Sequence, residues 1–92
     1  MVRKLMATTA KGVNGSLCYG YHDAASFSAW TLTRIPTGWS LTATIRTSNA
    51  FWVSQRPLTF EAPYQGGSWR FPVLELQVEG ATLTAVLGPK GN

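Results

Sequence analysis

From Trp39 to Thr47 apolar and polar residues alternate without a break. Trp39, Leu41, Ala43 and Ile45 fall in one phase, and Ser40, Thr42, Thr44 and Arg46 in the other. A period of two marks a strand with one dry and one wet face, and the β-branched Thr and Ile suit a pleated backbone. Just before it, Ile35-Pro36-Thr37-Gly38-Trp39 has hairpin chemistry: Pro36 fits the first central position of a turn, and Gly38 supplies a positive φ. Phe27 to Ile35 is therefore expected to be the partner strand. Asp23 leaves one alternative, a short helical turn near residues 23–29 capped by its carboxylate.

Two rules disagree over this hairpin. A three-residue loop at 36–38 places Ile35 opposite Trp39 and puts Trp30, Leu32 and Arg34 on the wet face with Ser40, Thr42 and Arg46. A four-residue loop buries Trp30 and Leu32 beside Leu41, but it needs Ile35 in the α region just before a proline, which sterics disfavour. Turn chemistry thus leaves Trp30 exposed or covered by a partner, whereas core filling buries it.

The pattern continues through the chain. Leu17 to His22 reads as a short strand with Leu17, Tyr19 and Tyr21 on one face. Ala50 to Gln55 reads as a strand after a turn at Ser48-Asn49, and Leu58, Phe60 and Ala62 align after Pro57. Residues 63–68, Pro-Tyr-Gln-Gly-Gly-Ser, read as one long loop. From Trp69 to Val78 the apolar phase slips at Pro72, which predicts a bulge or an edge. A two-residue turn at Glu79-Gly80 then pairs Val78 with Ala81 and Leu76 with Leu83, all on one face. Residues 1–14 and 88–92 carry no pattern and are expected to be loosely ordered.

About six or seven short strands with frequent turn signals predict an all-β domain over residues 1–92. Its expected form is a small antiparallel β-barrel or a two-sheet sandwich. At 92 residues one core can close without disulfides or metal. Cys18 is the sole cysteine, so no disulfide framework points to secretion. Met1 to Met6 has the charge of a signal peptide without an apolar run behind it, and Met6 is an alternative start. No window approaches the roughly 18 apolar residues of a membrane span, so a soluble, cytoplasmic protein is expected.

Candidate chemistry is thin. The four acids, Asp23, Glu61, Glu75 and Glu79, form no pair, and adjacent His22 and Asp23 would point to opposite faces of a strand. Cys18 and His22 fall short of the three or four ligands of a zinc site. Gly66-Gly67 lacks the Lys-Ser/Thr ending of a phosphate loop. The expectation is a non-catalytic module with no metal and no cofactor. A net charge of +4 comes from scattered arginines rather than a basic tail. Together with the aromatics they point to a binding surface of Trp30, Arg34, Arg46, Trp52, Arg56, Tyr64, Trp69 and Arg70. Small β-barrels bind single-stranded nucleic acid by stacking bases on rings while guanidiniums hold phosphates. The alternative partner is a protein, or a second copy of the chain, covering Trp30, Leu32 and Trp52.

Overall fold

The computed structural model describes residues 8–64 and 66–89. Seven strands run in chain order as β1 (Thr9–Gly12), β2 (Gly15–Tyr19), β3 (His22–Ile35), β4 (Gly38–Ser48), β5 (Thr59–Tyr64), β6 (Gly67–Glu79) and β7 (Thr82–Leu87). One helical turn, α1 (Ala50–Val53), links β4 to β5. All pairings are antiparallel, and β3-β2-β5-β6-β7-β4 closes back onto β3 as a six-stranded barrel with β1 as an extra strand. Closure leaves no edge within the ring, which matters for a threonine-rich sheet carrying few charges.

The alternation in β4 is realised. Leu41 and Ala43 are buried, Trp39 and Ile45 pack partly against the core, and Thr42 and Thr44 face outward. The turn into β4 is shorter than either predicted loop. Ile35 pairs with Gly38 and Arg34 with Trp39, so only Pro36 and Thr37 lie between the strands. A two-residue turn has the parity of the core-filling register yet keeps Ile35 extended before Pro36, which removes the steric objection. Trp30, at 2% exposure, and Leu32 are therefore core residues opposite Ala43 and Leu41. The expected contact role of both is corrected accordingly. Gly38 has φ 149° and lies so close to the Leu87 carbonyl oxygen that a Cβ there would collide with it.

Residues 23–29 are strand, not helix. Register shifts flank Phe27 in the β3–β4 ladder, with Arg46 and Ser28 as the extra residues, and these bulges let Phe27 and Trp30 both face inward despite their odd spacing. β3 is long enough to take two partners along the same edge: β2 beside its first half and β1 beside its second. The pattern-poor start thus holds a strand from Thr9, and the Arg34 amide donates to the Thr8 carbonyl at 2.8 Å. Asn14, at φ 62°, breaks the line between β1 and β2.

Four further corrections concern turns. β2 ends at Tyr19, and Gly20 (φ 60°) and Tyr21 form the turn to β3, so Tyr21 is fully exposed at a tip instead of sharing a face with Leu17. Ala50 to Gln55 is not a strand; Asn49 Oδ1 accepts the Trp52 amide at 3.2 Å and starts α1. The long loop at 63–68 is mostly strand, because Pro63 pairs with Ser68 and Tyr64 with Gly67. The last turn lies at Gly80-Ala81, pairing Val78 with Leu83 and Leu76 with Ala85. That is a slip of two residues from the expected register; Leu83 and Ala85 of β7 stay buried, whereas on β6 Leu74 and Val78 are exposed and Leu76 is only partly buried. The expected bulge near Pro72 is present between Val73 and Glu75. Gly88 is not frayed: its amide donates to the Pro72 carbonyl at 2.8 Å. The expectations for residues 1–7, including the choice of Met1 or Met6, and for residues 90–92 lie outside the described residues.

The core is one cluster led by Trp30, Phe27, Phe60 and Phe71 with six fully buried leucines. Trp30 meets Phe60 edge-on at 5.7 Å, and Phe60 stacks on Phe71 at 6.2 Å. No helix among the described residues is long and apolar enough to cross a membrane.

Candidate binding site

The β3–β4 turn builds the clearest surface site. Because Arg34 pairs with Trp39 across the hairpin, the Arg34 guanidinium carbon lies over the indole at 5.3 Å from the ring centroid. That is a cation–π distance. Trp39 meets Phe71 edge-on at 6.2 Å, and Trp69 meets Phe71 edge-on at 6.1 Å. The buried Phe71 ring thus serves as a common base for two half-buried indoles. Pro36, Thr37 and Pro89 complete an open groove of about 750 Å³. Among the described residues none of the acids lines it, and Arg34 is its one charged member.

Of the residues singled out from sequence, the groove gathers Arg34 and Trp69 and adds Trp39. Alternation places Trp39 in the inward phase of β4. Its position at the strand's first turn leaves it half-buried at the barrel rim, and the signal for it was its place opposite Arg34. The other candidates lie elsewhere. Trp30 is inside. Arg46 extends Nη2 to Asn14 Oδ1 at 3.1 Å. Arg70 donates through Nε to Glu61 Oε2 at 2.9 Å. The Tyr64 side chain lies outside what is described.

Trp52 and Arg56 belong to the α1 end, nine residues along β4 from Trp39, or about 30 Å of strand. Trp52 lies flat on His22, with ring centroids 3.9 Å apart and planes 8° apart, and Tyr19 stacks at 5.9 Å. Phe51 stands edge-on to Trp52 and is 63% exposed. Arg56 curls back, its Nη1 donating to the carbonyls of Val53 at 2.9 Å and Gln55 at 2.6 Å.

The Cys18 thiol is electrostatically perturbed. Partial burial, then the charges of Asp23 and Glu61, push its thiol up to about 11. Its Sγ donates to Asp23 Oδ1 at 3.6 Å. A thiol held in its protonated form by burial and neighbouring carboxylates is the opposite of an activated nucleophile. Among the described residues no group of three or more His, Cys, Asp and Glu is placed to hold a metal ion.

Comparison with protein-family models, curated proteins and solved structures gives no match for this chain. The fold and the groove define it as a small closed β-barrel with an aromatic, arginine-bearing rim.

Proposed function

We propose that the protein is a non-catalytic, cytoplasmic binding module that takes single-stranded nucleic acid in the Arg34–Trp39–Trp69 groove. The supporting observation is the guanidinium poised over an indole, with a second indole on the same base ring and no carboxylate beside them. Indole faces stack any base, and a guanidinium in an acid-free groove attracts the phosphate that follows it. Arg46 and Arg70 are engaged with Asn14 and Glu61, and Arg56 stands at the α1 end of the barrel, away from this groove. The footprint is therefore short, with one principal phosphate contact.

Fluorescence anisotropy with a labelled oligo-dT tests this. Binding at low salt should weaken by roughly 0.7 log unit per log unit of salt for each phosphate neutralised, so a shallow slope near that value is expected. Arg34→Gln should flatten the slope, and Trp69→Ala should weaken binding by roughly five- to a hundredfold, the worth of one stacked base. Arg46→Gln, at the other end of β4, should change nothing.

A protein partner, or a second copy of the chain, is the other reading. The exposed Phe51 and Tyr21 at the α1 end favour it, since large apolar side chains in water mark contact surfaces. A stable dimer at high salt combined with no oligonucleotide shift at low salt would transfer the proposal to that surface.

A further inference from the structure

A second groove opens at the α1 end of the barrel, and its composition differs from the first. Its wall is aliphatic: Ile45 from β4, Val53 from α1, Leu76 and Val78 from β6, and Leu83 from β7. Val78 is 48% exposed although its side chain lines this wall. The groove holds about 380 Å³, near the lower end of the roughly 300–1,000 Å³ usual for small-molecule sites. Its polar lining residues are Ser48, Ser54 and Arg56, and none of the chain's acids lines it. Arg56 is fixed in place through Nη1, which bonds to the Val53 and Gln55 carbonyls. Its Nε and Nη2 edge carries no hydrogen bond to any described residue.

An aliphatic wall with one anchored cation at its rim matches one ligand chemistry, a short hydrocarbon chain ending in an anion. We propose that this groove binds a medium-chain aliphatic carboxylate, with the chain lying against Val53, Leu76, Val78 and Leu83 and the carboxylate on Arg56. The wall supplies the apolar burial that drives binding, and the lone guanidinium fixes which end of the ligand faces water. A nucleobase belongs in the other groove, where the rings are. Here no aromatic side chain lines the wall. This proposal is therefore independent of the nucleic-acid reading.

Calorimetry of the full chain with hexanoate, octanoate, decanoate and 1-octanol, paired with methyl NMR of Val53, Val78 and Leu83, tests it. Affinity should rise about fourfold per added methylene until the groove is filled. Octanoate should bind more tightly than 1-octanol. Arg56→Gln should weaken octanoate by roughly three- to tenfold and leave 1-octanol unchanged. Val78→Trp, placed at an exposed position so that the barrel still folds, should abolish both. Equal binding of acid and alcohol, or an affinity that ignores chain length, overturns the proposal. So does a ligand-free dimer that Val78→Trp converts to monomer, because a second copy would then fill the groove.

Discussion

At the scale of single residues, the packing of Trp30 shows how backbone and side chain share one small core. Gly12 and Gly15 lie against its indole, and a Cβ at either position would run into the ring. The two glycines are thus cut to the shape of a tryptophan, and overpacking either would cost about 1–3 kcal/mol. Sequence alone assigns Gly12 to turn chemistry, because a glycine chosen for close approach carries the same letter as one chosen for φ. Cys18 makes a second residue-scale point. Its thiol is raised from an ordinary 9.0 to about 11, so the folded state disfavours the thiolate. Whatever stability this protonated thiol contributes is fully present below pH 9 and is lost as the pH climbs through about 11. Alkylation of Cys18 by iodoacetamide should accordingly stay slow through pH 9 and rise with a midpoint near 11. A midpoint at the ordinary thiol value would show that the site is wetter than described.

Elements were legible where one period runs long. β4 announces itself through nine alternating residues, and β6 announces its bulge through the phase slip around Pro72. β3 is harder, because two bulges let Phe27 and Trp30 share a face that strict alternation denies them. α1 was missed outright. Four residues are too few to establish a 3.6-residue period, and Ala50 to Gln55 reads equally well as a strand. The informative residue was Asn49, whose side chain caps the turn. Asn49→Ala should cost about 1 kcal/mol, a fall in Tm of roughly 4–8 °C for a domain of this size. The His22–Trp52 stack should loosen with it, seen as a shift of the His22 ring resonances. An unchanged Tm would mean that the Trp52 stack, rather than the cap, holds α1.

For the whole molecule, the barrel was one of two architectures the strand count allowed. What decides it is the pairing of β2 with β5 and of β4 with β7, contacts between segments far apart in the chain that no local pattern reveals. The same long-range placement sorts the arginines. Sequence shows four of them among aromatics on one supposed surface. The fold sends Arg34 to the rim groove, ties Arg46 to Asn14, turns Arg56 back toward α1 and gives Arg70 to Glu61. The Arg70–Glu61 pair is a solvent-exposed bridge worth at most about 1 kcal/mol. Two of the groove's three key residues, Arg34 and Trp69, are therefore foreseeable from residue type, and the third, Trp39, needs the true length of the turn.

β1 stands outside the closed ring, held along one edge by the far half of β3. Amides there can exchange with solvent through a partial opening that leaves the other six strands intact. The ring of Trp30 lies directly beneath Gly12, so each such excursion briefly wets an indole that is otherwise sealed. On gentle heating, Thr9 to Gly12 should surrender their deuterium protection first, and acrylamide should begin to quench Trp30 emission before the barrel melts. Simultaneous loss of both with global melting would weld this outlying ribbon to the rest as one cooperative unit.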